Sequence, residues 1–109
     1  SNGYTDSRIS QDTFVVIFRA NEHTPPKKVM KYAIRRAAEV TLQNGYRYFT
    51  IIDQSDASKE RTVIHTERGY RGKRTSVSHL YYPSLKLTIK CFHTKPFGHD
   101  MLDARSYVY

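Results

Sequence analysis

The stretch from residue 24 to residue 52, TPPKKVMKYAIRRAAEVTLQNGYRYFTII, constrains the fold more than any other part of the chain. It predicts one helix, a glycine stop and a strand that folds back. Thr24 is suited to cap the helix N-terminus, and Pro25 suits the first turn because the backbone N–H that proline lacks has no partner there. Asn44-Gly45 is typical of a helix C-terminus, since glycine readily takes the left-handed conformation that ends a helix.

The predicted helix carries one apolar stripe. Its members recur at i, i+3 and i+4 spacing and are Met30, Ala33, Ile34, Ala37 and Thr41, with Val29 and Val40 at the margins. The small side chains of Ala33 and Ala37 predict that the helix lies close against a sheet.

Four segments favour strands. Residues 14–18 (FVVIF) are a short apolar run of β-formers, as expected for a strand that is central in a sheet or covered on both faces. Residues 46–52 follow the helix stop, and residues 61–66 are a weaker third strand. Residues 80–92 hold the clearest alternation, with Leu85, Leu87, Ile89 and Cys91 between Lys86, Thr88 and Lys90. That pattern predicts an antiparallel strand with one packed and one wetted face.

Together these elements predict an α+β domain, a two-layer sandwich in which one main helix packs on a sheet of about four mostly antiparallel strands. The order is β-α-β-β-β with a short terminal element at 101–109, and the strands that flank the helix can run parallel. Residues 53–59 are expected to be a polar turn. Residues 1–12 are expected to be an extended lead-in beginning with a tag remnant, and 13–109 a single domain.

Residues 67–79, ERGYRGKRTSVSH, are the one compositionally distinct segment. Four cationic side chains crowd around Tyr70: Arg68, Arg71, Lys73 and Arg74. Gly69 and Gly72 remove backbone restraint, so we expect a mobile loop. Because a flexible cationic loop can order against an anionic surface, these cations and Tyr70 form the predicted binding site.

Residues that could carry catalysis or bind a metal form no recognisable set. Cys91, the one cysteine, falls on the apolar face of the best-defined strand, where a free thiol is usually a small buried hydrophobic group. No two of the five histidines have HxH or HxxxH spacing. The sequence also lacks GxGxxG, GxxxxGKS/T and GxSxG motifs. We therefore expect a protein that is not an enzyme and that needs no metal or cofactor.

The formal net charge of +8, from 18 basic and 10 acidic residues, favours an anionic partner. A basic nucleic-acid-binding module is the alternative function, because a β-α-β-β order, many tyrosines and a basic loop are features of RNA-binding sheets. The aromatic motif of those sheets is missing. Tyrosines such as Tyr46 and Tyr48 can equally be sheet-packing residues.

Four motifs taken together resemble one known family. They are residues 14–21 (FVVIFRAN) followed by Thr24, residues 36–42 (RAAEVTL), residues 45–49 (GYRYF) and residues 87–92 (LTIKCF). In this order they resemble an uncharacterised family of small proteobacterial cell-envelope lipoproteins anchored in the outer membrane. The likeness is weakest at 67–79.

The resemblance implies a signal peptide and a lipidated cysteine upstream of residue 3, and a location on the periplasmic side of the outer membrane. It implies partners among other envelope proteins or an anionic surface, and no known activity or catalytic residue. Some such small lipoproteins look like accessory parts of type IVB secretion machines, so the expected function is a structural or protein-interaction module of the envelope.

Four residues of these motifs are expected to be structural. Asn21 can cap or tie the loop before Thr24, because its side chain can bond nearby backbone groups. Arg36 and Glu39 stand at i, i+3 on the helix and can form an ion pair.

Overall fold

The computed structural model describes residues 3–108, and within them it has one α-helix and seven strands. The strands are β1 Gly3–Arg8, β2 Thr13–Arg19, β3 Tyr48–Asp56, β4 Lys59–Gly69, β5 Gly72–Tyr82, β6 Ser84–Phe92 and β7 Leu102–Asp103. The helix α1 is Pro26–Gln43, and a 3-10 helix, Ala104–Ser106, follows β7. The chain is therefore α+β, as the sequence predicts.

Five strands form the main sheet in the order β1-β2-β6-β3-β7, and all neighbours are antiparallel. Because β2 and β3 are both antiparallel to β6, they run parallel to one another on its two sides, and α1 connects them. The main sheet has five strands, so the predicted number of about four is wrong. The stretch expected to be a lead-in supplies β1, and the terminal element supplies β7, while Ser1, Asn2 and Tyr109 lie outside the described residues.

Helix α1 begins differently from the prediction. Pro25 is the N-cap residue and makes no capping side-chain hydrogen bond, so the predicted cap at Thr24 is wrong. The Thr24 hydroxyl instead donates to Asn21 Oδ1 at 2.7 Å. The helix ends as expected, with Asn44 as the C-cap and Gly45 at a positive φ of 83°.

The core lies between α1 and the central strands. Ala33 and Ala37 are fully buried, which confirms that the small residues of the stripe face the sheet. The helix packs on β2, β6 and β3, where the largest fully buried side chains of the sheet are Phe49, Leu87, Ile89, Val16 and Cys91. Thr41 is also fully buried, and its hydroxyl donates to the Ala37 carbonyl at 2.8 Å, so burial leaves no unpaired polar atom there.

Strands β4 and β5 form a separate two-stranded sheet, called the arm below: a hairpin spanning Lys59–Tyr82 with its turn at Tyr70 and Arg71. Eleven-residue strands reach roughly 35 Å at the usual rise per residue. The molecule measures 72 × 25 × 21 Å and its radius of gyration is 19.2 Å, against about 13 Å for a compact chain of this length. The arm accounts for this elongation.

The arm continues the β3–β6 pair with only a short interruption. Pro83 has no N–H to donate, and its carbonyl accepts from Ala20 N–H at 2.9 Å on the neighbouring segment. The Ser58 hydroxyl bridges the gap by accepting from Ser84 N–H at 2.9 Å, and Ala57 N–H donates to the Ser84 carbonyl at 2.9 Å. These bonds fix the direction in which the arm leaves the sheet.

Two expectations for residues 53–79 are wrong. The polar turn expected at 53–59 is largely strand, because β3 runs on to Asp56 and only Ala57 and Ser58 separate it from β4. The mobile loop expected at 67–79 is the end of β4, the turn and most of β5. Both segments are polar because the ribbon they form is wetted, and polarity by itself does not distinguish an exposed strand from a loop.

The close approach of α1 to the sheet predicts the effect of a larger side chain. Ala37→Leu should lower the free energy of unfolding by about 1–3 kcal/mol, because the added carbons have no space in a packed core. Lys31→Leu, at an exposed position of the same helix, is the matched control and should change it by no more than about 0.5 kcal/mol. Equal denaturant midpoints for the two variants would contradict this packing.

Candidate functional site

The arm differs from the rest of the described chain in the exposure of its side chains. Every residue of β4 is exposed, and so is all of β5 except the half-buried Leu80 and Tyr82. The two strands contact chiefly each other. Both faces of the ribbon, and both of its outer edges, are therefore open to a partner.

Apolar side chains occupy the middle of the arm on both faces. Ile64 and Val77 stand directly opposite each other and are 68% and 56% exposed. Val63 lies on the other face, since successive strand residues point to opposite sides. Cross-strand apolar pairs stabilise a hairpin, but this pair leaves more than half of each side chain in water. The middle of the arm is thus a small, uncovered apolar surface.

The far end of the arm is cationic. The structure brings the five predicted binding residues together there, with Arg68 opposite Lys73 and with Tyr70 and Arg71 in the turn. Arg74 stands opposite Glu67, whose carboxylate Oε1 lies 3.2 Å from Nε2 of His65. Two like charges directly across a ribbon repel one another, which an anionic partner would relieve.

The turn at the tip is narrow and presents an aromatic ring. Gly72 has φ 115°, a conformation that favours glycine, and it pairs with Gly69 to close the hairpin around two residues. The Tyr70 side chain is fully exposed. A tyrosine ring can enter a pocket of a partner at low entropic cost, because its side chain has few rotatable bonds.

The four residues expected to be structural lie in the body of the domain, on α1 and on the loop that enters it. Asn21 Oδ1 accepts hydrogen bonds from His23 N–H at 3.3 Å and from the Thr24 hydroxyl at 2.7 Å. Together with the bond from Thr24 N–H to the Asn21 carbonyl, at 3.2 Å, these contacts close the loop that enters α1.

Arg36 links the helix to the edge strand β1. Its Nη2 lies 2.7 Å from Oδ2 of Asp6, and its Nη1 lies 3.6 Å from Oε1 of Glu39. The guanidinium carbon is 3.9 Å from the centre of the Tyr4 ring, which is a cation–π contact. The sequence pointed to the pair with Glu39 and missed Asp6, because thirty residues separate Asp6 from Arg36.

Cys91 is buried in the core beside Thr41, with its sulfur 3.4 Å from the Thr41 hydroxyl. Burial raises the pKa of the Cys91 thiol, and the Thr41 hydrogen bond opposes that shift only in part. A raised pKa disfavours the thiolate, which is the reactive form.

The histidines lie on different segments of the fold, with His65 on β4, His79 on β5 and His93 directly after β6. His93 stacks on Tyr46 with ring centres 4.4 Å apart, and its Nδ1 lies 3.0 Å from the Gly45 carbonyl, which fastens the helix end to the end of β6. Among residues 3–108, no group of three or more His, Cys, Asp or Glu side chains could hold a metal ion.

Comparison of the chain with protein-family models, with curated proteins and with solved structures finds no match. Within the described chain, no helix has both the length and the apolar character needed to cross a membrane.

The sequence does not predict the apolar part of the site. A loop at 67–79 would not place Val77 beside Ile64, so their pairing follows only from the structure. A weaker signal was available, since Gly69 and Gly72 enclose two residues and β-branched residues recur on either side of them, at 62–66 (TVIHT) and 75–77 (TSV). Turn residues between segments of β-formers favour a hairpin, and the charged residues that separate these segments from the turn weaken the pattern.

The position of Cys91 predicts its reactivity. A maleimide should label the native protein slowly and the denatured protein quickly, because the native thiol is buried and its pKa is raised. The matched control is Ser76→Cys in a Cys91→Ser background, which places a thiol on the exposed arm and should react rapidly in the native state. Comparable native rates for the two thiols would show that Cys91 is accessible.

Proposed function

We propose that this domain is a non-enzymatic protein-interaction module and that the arm is the element that binds its partner. The observation that carries the proposal is the uncovered Ile64–Val77 pair in the middle of a ribbon that otherwise contacts little of the chain. A two-stranded hairpin is at best marginally stable alone in water, whereas three strands or a covered face stabilise it. A partner that covers one face or adds a strand to one edge would supply that stabilisation.

The charge of the arm indicates the chemistry of the partner. The arm has six basic side chains, Lys59, Arg61, Arg68, Arg71, Lys73 and Arg74, against two acidic ones, Glu60 and Glu67. The fitting surface has an apolar centre for Ile64 and Val77 and an acidic rim for the tip. Charge would then steer the encounter, and apolar burial would hold the complex.

A second copy of the chain fits this description poorly. Outside the arm the sequence carries 12 basic and 8 acidic residues, so two copies would bring together surfaces of the same sign. The partner is therefore a different, acidic protein.

The setting of this interaction is proposed from the resemblance described above. It places the domain on the periplasmic side of the outer membrane, held by a lipid anchor, and its partners among envelope proteins, with a type IVB secretion-like machine as one candidate. Sequencing of the native N-terminus tests this setting. We expect a signal peptide that ends in a lipidatable cysteine, and a different leader or none would contradict it.

A nucleic-acid-binding module is the second candidate function, favoured by the cationic tip. A two-stranded ribbon fits the major groove of DNA, and Arg68, Lys73 and Arg74 could contact phosphates. It ranks second because the middle of the arm presents Val63, Ile64 and Val77, which a phosphate backbone does not cover with apolar surface.

Two variants of the arm test the proposal. Ile64→Thr with Val77→Thr removes the apolar pair but keeps residues that favour strands, and a four-serine variant removes Arg68, Arg71, Lys73 and Arg74. We expect each to leave stability nearly unchanged, within about 0.5 kcal/mol per site, because these side chains are exposed. We expect each to weaken binding by about tenfold or more, as loss of a central contact does.

The binding assay begins with a photo-crosslinker at position 77 in envelope extract. The captured protein is then purified and titrated against wild type and variants. The matched control converts four exposed lysines outside the arm to serine: Lys27, Lys28, Lys31 and Lys95. This control should retain wild-type affinity. If the control lost as much affinity as the four-serine variant, the effect would come from net charge alone.

Titration with a mixed oligonucleotide pool separates the two candidate functions. For nucleic acid, the logarithm of affinity should fall linearly with the logarithm of salt concentration, and the four-serine variant should reduce that slope. Such a slope, together with full retention of the protein partner by both arm variants, would favour the nucleic-acid function over the one proposed.

A further inference from the structure

A cleft of about 660 Å³ opens where the arm leaves the main sheet, on the face of the sheet opposite α1. Its walls come from β1, β2 and the base of the arm, and include Thr5, Ile17, Arg19, Lys59, Arg61 and Tyr82. Ligand sites commonly have volumes of this order. The proposed contact with a protein partner uses the middle and the tip of the arm, so this cleft is a separate feature.

Three cations meet at the cleft without acidic partners. None of Arg19, Lys59 and Arg61 forms an ion pair among residues 3–108. Glu60 is also part of the wall, but it lies between Lys59 and Arg61 along β4, so its side chain points to the other face of the ribbon. There its Oε1 is 3.9 Å from Nδ1 of His79. The positive charge on the cleft side is thus uncompensated.

The backbone around these cations is held firmly. The Ser84 hydroxyl donates to the Phe18 carbonyl at 3.1 Å, next to Arg19, and Ala20 N–H donates to the Pro83 carbonyl at 2.9 Å. On the other wall, Ser58 N–H donates to Asp56 Oδ1 at 2.8 Å, one residue before Lys59. Hydrogen bonds from Ser58 lower the pKa of Asp56, so this fastening persists in moderately acidic solution. The backbone beside Arg19 and Lys59 is therefore held in place on both walls of the cleft.

We propose that this cleft binds the phosphate group of an organic phosphate. Arginine offers a planar fork of donors that matches phosphate oxygens, and two arginines with one lysine provide the charge that a phosphate monoester requires. The hydroxyls of Thr5 and Tyr82 can donate further hydrogen bonds, and Ile17 gives the organic part of the ligand an apolar wall. The phosphate can belong to a lipid headgroup or to a free metabolite.

The test follows backbone amide NMR shifts at constant ionic strength with two soluble probes, inorganic phosphate and glycerol 3-phosphate. We expect saturable shifts centred on Arg19, Lys59 and Tyr82, with glycerol 3-phosphate binding the tighter. Arg19→Ser with Arg61→Ser should weaken this binding by about tenfold or more, as expected for lost charge-assisted contacts. The spectra also show whether each variant remains folded.

The matched control is Arg68→Ser with Lys73→Ser, which removes the same charge from the far end of the arm. It should bind both probes within about twofold of wild type, since exposed charges more than a Debye length apart are largely screened. Shifts spread over all cationic positions, or equal losses in both double variants, would overturn the site.

Vesicles distinguish the two sources of the phosphate. Binding to vesicles of phosphatidic acid, a lipid with a phosphate monoester headgroup, in phosphatidylcholine that is lost in the Arg19→Ser, Arg61→Ser variant supports a lipid headgroup. Binding of glycerol 3-phosphate without vesicle binding supports a soluble ligand. Because the cleft variant leaves the tip and the Ile64–Val77 pair intact, loss of phosphate binding and loss of the protein partner can be measured independently.

Discussion

Strand β6 lies between β2 and β3, and its pairing with both is the interaction on which the other elements depend. One face of β6 gives the core Leu87 and Ile89, which are fully buried against the helix layer. The edge strand β1 reaches the sheet only through β2, and β7 only through β3. Sliding β6 by one residue would turn its buried side chains to solvent, so the core fixes the register of every neighbouring strand.

The same pairing also creates the arm. Strands β3 and β6 run past the area that α1 covers. Beyond it the chain continues from β3 into β4 and returns through β5 into β6, and β4 pairs antiparallel with β5 as β3 does with β6. Beyond the junction at Ser58 and Ser84 the ribbon loses its apolar support, because every residue of β4 is exposed. Local stability therefore decreases along the ribbon from the core to the tip. The tip, which a partner would meet, is held mainly by the backbone hydrogen bonds between β4 and β5.

Charge is distributed along this gradient in two separate groups. Arg19, Lys59 and Arg61 gather at the base of the arm, beside well-fastened backbone. Arg68, Arg71, Lys73 and Arg74 gather at the tip, some twenty ångströms or more away at the usual strand rise of about 3.4 Å per residue. At physiological salt these groups act independently, because the screening length is only about 8 Å. One domain can thus offer two anion-attracting surfaces of different rigidity.

The sequence by itself determined the elements whose residues must pack. The stripe through Ala33 and Ala37 and the alternation from Leu85 to Cys91 reflect burial, which leaves a periodic trace in the residue types. The helix stop at Gly45 reflects backbone conformation, because its positive φ favours glycine. The cationic cluster around Tyr70 was equally visible, because charge is a property of composition. The α+β class, the main helix and the residues at the tip followed from these signals.

Only the tertiary structure decided the features that depend on pairing between distant segments. Polar residues 3–8 become β1 because β2 offers them an open edge, and Asp6 meets Arg36 across thirty residues. Residues 67–79 become two paired strands around a turn because each half of the arm satisfies the backbone of the other, which requires no buried side chain. The cleft at the base forms where β2 passes the start of the arm, so Arg19 joins Lys59 and Arg61 only in the folded chain. Hydrogen bonding between backbones is nearly independent of residue type, and for that reason a single sequence records it poorly.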